Sequence, residues 1–256
     1  MLIENWKLLQ QTITTTSIID AMNHAPIWKF TEQGGLPEDI TQIPWEVALV
    51  ENQGKVTGFL IKDRGTFEPL TPEWIISGET SIPNLISAFL DTGLPVFLVL
   101  QGRDFSGMVT PWNLNKLPVR LLIYLIIGEL EVALANYIEQ SISSQQQILA
   151  CLTPKSREAM DNYLNSHLGT NLLEHLYLSD LIDIIQKNPE LREKLGLHSR
   201  KQAEELFSGI TDLRNPIMHP VRMLIQQFPE DLVRLRKRVQ RVREILSRLE
   251  QLAVQV

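Results

Sequence analysis

Val96-Phe97-Leu98-Val99-Leu100-Gln101-Gly102-Arg103-Asp104-Phe105-Ser106-Gly107-Met108-Val109-Thr110 reads as two strands around a polar turn. Val96 to Leu100 is an apolar run of strand length, Gln101 to Asp104 supplies the turn, and Phe105 to Thr110 returns. The same pattern stands 49 residues earlier, where Val47, Leu49, Val50 and Gly58 match Val96, Leu98, Val99 and Gly107. In that copy the strands are Val47 to Val50 and Lys55 to Ile61, and the turn is Asn52-Gln53-Gly54. Ahead of the second copy, Ile82, Leu85, Ile86, Phe89 and Leu90 follow helical spacing, and Thr92-Gly93-Leu94-Pro95 stops the helix. The repeated unit is therefore helix, strand, turn, strand. The first copy's helix is expected near Ser17 to Met22, parted from its strand by an insertion with Gly34-Gly35, Pro37 and Pro44. One such unit cannot bury both faces of its hairpin, so the two should pack together.

Past Pro118 the period changes from 2 to 3.6 and strand signals end. A helix is expected over Val119 to Ile142, apolar almost all round at its start and so buried within a bundle. Others follow near Leu172 to Gln186 and Ser199 to Leu213. The last begins at Glu230, after Pro229, with Glu230 and Asp231 suited to its positive end. In it Leu232, Leu235, Val239, Val242, Leu246, Leu249 and Ala253 alternate steps of three and four, the seam of a coiled coil or of a bundle helix. The expected class is α+β: an α/β module over 1–116, then an all-α bundle over 117–256.

Composition narrows the functions. With 256 residues, 44% hydrophobic and 21% charged, the chain has the make-up of a globular protein with a full core. The single cysteine, Cys151, excludes an internal disulfide framework and a thiolate-rich zinc site, and fits a reducing, cytoplasmic setting. The first residues give no leader signal, and the apolar run Leu121 to Ile127 is far shorter than the roughly 20 residues a membrane helix needs, so no membrane partner is expected. Net charge is −6, divided unevenly: from Arg200 on, eleven Lys/Arg face seven Asp/Glu, a local +4 that leaves −10 for the first 199 residues. The C-terminal part is thus the candidate anion-facing region.

Within the second copy, Gly107-Met108-Val109-Thr110-Pro111-Trp112-Asn113-Leu114 places a glycine, two hydrophobics, a threonine and an amide three residues later. In this setting it resembles a CBS motif, and two copies resemble the paired, Bateman-type module of that family. The resemblance implies a ligand site at Gly107, Thr110 and Asn113, with Thr110 toward a phosphate and Asn113 toward ribose hydroxyls of an adenosine nucleotide. Asn113 lacks the charged acceptor of that pattern, and the first copy has Ile61 and Arg64 at these places, which keep neither group. A scaffold for dimerisation is the other reading of the module.

Asp212-Leu213-Arg214-Asn215-Pro216-Ile217-Met218-His219-Pro220 joins an arginine, a polar neighbour and a histidine across four residues, after the helix around Leu178 to Ile185. It resembles the HEPN motif over roughly 118–256. That resemblance implies a homodimer with two motifs at one interface and a metal-independent ribonuclease with no required cofactor, in stress response, toxin–antitoxin or phage-defence systems.

The chemistry follows from the side chains. Asn215 before Pro216 reads as an N-cap before a first helical residue, placing Arg214 just ahead of a helix start and His219 a turn inside. Such an end favours an anion, and a guanidinium grips phosphate by two parallel bonds. An imidazole exchanges protons near neutral pH, so His219 is the candidate general acid or base, Arg214 the candidate for phosphorane charge, and Asn215 positions or caps. Against this stands a structural reading, with Arg214 paired to Asp212 and His219 on a buried carbonyl. Arg234, Arg238 and Arg241 beside the seam are candidate RNA contacts or a solvated face. His167, Glu174 and His175 lack the spacing and third ligand of a zinc site, and no metal is expected. The resulting expectation is a ribonuclease gated by nucleotide binding or dimerisation; the alternative is a non-catalytic module that dimerises and binds a partner protein or a nucleotide.

Overall fold

The structure, a computed structural model, describes residues 11–21, 24–30, 32–142, 144–166, 172–219 and 221–254. The protein is α+β, with two small mixed sheets followed by helices. Its contacts divide it into two compact units. One holds the described residues up to Arg120 together with Ile225–Val233; the other holds Leu121–Leu224 and Arg234–Val256. The expected division after residue 116 therefore falls four residues later, between Arg120 and Leu121, and a late segment belongs with the early unit. That segment is tied there by Asn115, whose side chain donates to the Ile225 carbonyl at 2.9 Å and accepts from the Ile225 amide at 3.0 Å.

The repeat in the sequence is a repeat in the first unit. Strands β1 (Asp20–Ala21), β2 (Ile27–Lys29), β3 (Val47–Asn52), β4 (Lys55–Ile61), β5 (Thr66–Pro69), β6 (Ile75–Ser77), β7 (Phe97–Gln101) and β8 (Asp104–Val109) form two four-stranded sheets, ordered β2-β3-β4-β5 and β1-β8-β7-β6. In each, a parallel pair (β2 with β3, β6 with β7) continues into an antiparallel hairpin and a short antiparallel edge strand. Val50 faces Gly58 and Val99 faces Gly107, each followed by a register shift after the valine. A hydroxyl on the returning strand donates to the valine carbonyl at 3.2 Å in both, from Thr57 and from Ser106. At Gly58 an added Cβ would overlap the Glu68 carbonyl oxygen and the Phe67 ring, so the residue must lack a side chain.

Leu49 and Phe59 from one sheet and Leu98 and Met108 from the other share a single buried cluster, which is how two hairpins cover one face of each other. The opposite faces are covered differently. Helix α1 (Ile82–Thr92) presents Ile82, Leu85, Ile86 and Phe89 in the second repeat, and Phe89 packs on Phe97 at 4.9 Å between ring centres. No corresponding α-helix forms among the described residues of the first repeat. Thr15–Ser17 is a 3-10 turn and Asp20–Ala21 is strand, where a helix was expected over Ser17 to Met22; Met22 lies outside the described residues. The β2–β3 crossover instead drapes Ile40 and Ile43 over Ala48, Val50 and Leu60. Gly34, Gly35 and the prolines deny it helical continuity.

The second unit is helical: α2 (Leu117–Ser141, entering from the first unit), α3 (Gln145–Cys151), α4 (Pro154–Ser166), α5 (Leu178–Lys187), α6 (Pro189–Lys194), α7 (Arg200–Phe207), α8 (Ile210–Met218) and α9 (Glu230–Val254). The long helix expected over Ser199 to Leu213 is broken at Ser208-Gly209, where Gly209 adopts φ +75°. Helix α2 is not buried all round: Leu130, Leu134 and Ile138 are buried, whereas Leu121 is 47% and Tyr124 49% exposed, with Leu125 and Val132 on the same open side. The α9 seam is that of a bundle helix, because Leu232, Leu235, Val242, Leu246 and Leu249 are all buried within one chain. Among the described residues no helix is long and apolar enough to cross a membrane.

Candidate functional site

Helix α8 carries the Arg214 motif, and its polarity differs from the sequence expectation. Gly209 in the left-handed region caps the start, so the helix is already under way at Arg214 and Pro216 lies inside it. Asn215 is not an N-cap; its carbonyl accepts the His219 amide at 3.1 Å, and His219 is the C-cap with extended backbone. Arg214, Asn215 and His219 thus share the final turn, where the dipole favours cations rather than anions. The anion-binding argument from a helix start does not apply here. What remains is side-chain chemistry: Asn215 and His219 are exposed and Arg214 is half-buried.

Arg214 lines a recess of about 70 Å³ with Tyr124, Gly128 and Glu131 of α2. Its guanidinium lies over the Tyr177 ring at 5.7 Å, a cation–π contact. Tyr177 is itself 63% exposed. Asp212, the alternative partner for Arg214, is bonded to Arg238 at 3.2 Å instead. His219 is exposed. Residues five apart on a helix differ by roughly 140° in direction, so Arg214 faces α2 while His219 ends the helix.

Two of the three arginines proposed for RNA serve the fold. Arg238 pairs with Asp212 and packs against Gly209, and Arg241 donates to the Ser208 carbonyl at 2.6 Å. Together they fasten the α7–α8 junction and so set where α8 begins. Arg234 lies exposed near the start of α9.

The second candidate site is closed by its own hydrogen bonds. The Asn113 carbonyl oxygen accepts from the Thr110 amide and the Thr110 hydroxyl, both at 2.7 Å. Its amide donates to the Ile18 carbonyl at 3.1 Å and to Asp20 at 2.9 Å. With 4% exposure and all four bonding positions used, Asn113 has nothing left for ribose hydroxyls. Lys116 completes the knot, pairing with Asp20 at 2.7 Å. Gly107 pairs with Val99 on one side and Ala21 on the other, within the sheet. Thr110, Asn113 and Gly107 are accordingly structural positions that hold β1 to β8.

Compared with family models, with curated proteins and with solved structures, the chain matches none. The motifs and the geometry above stand by themselves.

Among the described residues no group of three or more His, Cys, Asp and Glu is placed to hold a metal ion. His175 stacks on Tyr163 at 3.9 Å between ring centres, Glu174 is exposed, and His167 lies outside the described residues. Burial pushes the Cys151 thiol up from its ordinary range, with the nearby Lys187 charge opposing, which makes it a poor nucleophile. Sequence reasoning missed Tyr177, Tyr124 and Glu131. Tyr177 directly precedes the amphipathic run that forms α5, the only signal that could have flagged an aromatic held at a helix start.

Proposed function

We propose that the chain is a metal-independent endoribonuclease of the HEPN type, acting as a homodimer with the repeat unit in a regulatory role. The observation that carries this reading is the exposed His219 one turn beyond a half-buried Arg214, backed by Tyr177 and bordered by the open apolar side of α2. Leu121, Tyr124, Leu125 and Val132 form a stripe that a second copy would cover, next to the recess that holds Arg214. A second copy would also bring a second His219 to the site.

In this reading an unpaired RNA base stacks on Tyr177, and the guanidinium of Arg214 binds the adjacent phosphate. The ribose 2′-oxygen attacks phosphorus, the bond to the 5′-oxygen breaks, and a 2′,3′-cyclic phosphate remains. His219 takes the 2′ proton, and the histidine of the second copy returns one to the leaving oxygen. DNA, having no 2′-hydroxyl, is not cleaved.

The test uses the full chain and single-stranded RNA in the presence of a chelator. Wild type should give 2′,3′-cyclic ends, and His219→Ala and Arg214→Ala should each lower the rate by about 100-fold or more. Cleavage that survives both substitutions, or none in wild type across several RNAs, overturns the proposal. A second reading, a non-catalytic dimer that binds a partner protein, is favoured by the negative end of α8 lying at the motif. It predicts dimerisation, lost in Leu121→Glu, without cleavage.

A further inference from the structure

The first repeat leaves open what the second has closed. Arg64 stands where the second repeat has Asn113, and its guanidinium reaches the Gly93 carbonyl at 3.2 Å without forming a cap. Around it lies a cavity of about 460 Å³, within the range of small-molecule sites. Glu46, Asp63 and Arg64 line it from the first repeat, Trp112 from the second, and Gln227 and Glu230 from the late segment.

That segment is built to be a wall. Ile225 is fully buried and held by both bonds to Asn115. The amides of Gln226 and Gln227 both donate to Asp231 at 2.9 Å, and the Phe228 ring meets Phe89 edge-on at 6.4 Å. The wall belongs to the same compact unit as the repeats, yet it begins six residues after His219.

The lining selects the sign of the ligand. Three carboxylates, Glu46, Asp63 and Glu230, line the cavity with a single guanidinium that is already engaged with Gly93. The start of α9 is no anion site, because Asp231 caps the preceding amides and Glu230 adds a negative charge there. A nucleotide phosphate would meet more negative than positive charge. A protonated amine would meet carboxylates and an indole face, since Trp112 is partly exposed at the cavity.

We propose that this cavity binds a small organic amine, with its ammonium among Glu46, Asp63 and Glu230, its apolar body on Trp112, and the 226–230 segment as the wall that senses occupancy. The site is independent of whether His219 cleaves RNA. The experiment is isothermal titration of the full chain with tryptamine, putrescine, AMP and ATP, followed by hydrogen exchange with the best amine.

One amine should bind per chain, more tightly than either nucleotide. Asp63→Asn, an exposed change that leaves the core intact, should weaken it at least fivefold, and Trp112→Ala at least tenfold. Amides over 226–230 should exchange more slowly in its presence. His219→Ala should bind as wild type does, so that failure of the ribonuclease proposal leaves this one standing. Absence of heat with both amines, preference for AMP or ATP, or binding indifferent to Asp63→Asn and Trp112→Ala would overturn it.

Discussion

The two repeats share strand order, the valine–glycine pairing and the hydroxyl-to-carbonyl bond, but they part at the end of the hairpin. In the second repeat Thr110 and Asn113 bond to each other and to the chain around Asp20. In the first, Ile61 and Arg64 line a cavity. The same backbone thus supports a closed fastening at one end and an open recess at the other, decided by which side chains can satisfy their neighbours locally. A buried amide with every bond made is a structural group, whatever its place in a motif.

The largest effect should come from breaking the fastening. Asn113→Ala leaves the Thr110 amide without its acceptor and the Ile18 carbonyl and Asp20 with Lys116 alone, and should cost about 2 kcal/mol. Arg64→Ala at the corresponding place should stay within about 0.5 kcal/mol. Urea unfolding followed by tryptophan fluorescence measures both, and equal losses would erase the asymmetry.

A smaller effect separates the two units under alkali. The Tyr137 hydroxyl donates to the Leu191 carbonyl at 2.7 Å, and burial, followed by the Glu190 charge, pushes its phenol up to about 12. The fold holds the neutral form, so this stabilisation is complete below about pH 10 and is lost as pH rises through about 12. Four of the five tryptophans, Trp28, Trp45, Trp74 and Trp112, lie in the first unit, so fluorescence reports mainly on that unit and far-ultraviolet circular dichroism mainly on the helices. Helical signal should fall first in this window, and Tyr137→Phe should remove the step. Coincident transitions by both probes would show that the units unfold together.

The smallest effect sharpens the likeness instead. Thr57→Val and Ser106→Ala each delete one hydroxyl bond of the same length, and should cost about 0.5–1 kcal/mol apiece. Unequal losses would mean that the repeats differ in their sheets as well as at their ends.

Much of the first unit was legible because short apolar runs and the 49-residue repeat reflect hairpins whose central strands are buried on both faces. The cover of the first repeat was not, because among the described residues a loop carrying Ile40 and Ile43, rather than a helix, lies on that sheet without helical spacing. At Arg214 the sequence misled for a physical reason. Asn-Pro marks a helix start only when no helix is already running, and Gly209 starts one five residues earlier. The basic residues of α9 were read as a surface, but Arg238 and Arg241 fold back onto the α7–α8 junction.

By itself the sequence determined the repeat, its two hairpins (β3–β4 and β7–β8), helix α1, the change to helices near Lys116 and the amphipathic seam of α9, because each follows from local periodicity and chain stiffness. Only the tertiary structure decided which groups were already satisfied. It turned Asn113 into a fastening, buried the α9 seam within one chain, left the α2 stripe open and placed residues 225–233 in the first unit. Those outcomes depend on partners far apart in the chain, and local pattern carries no record of them.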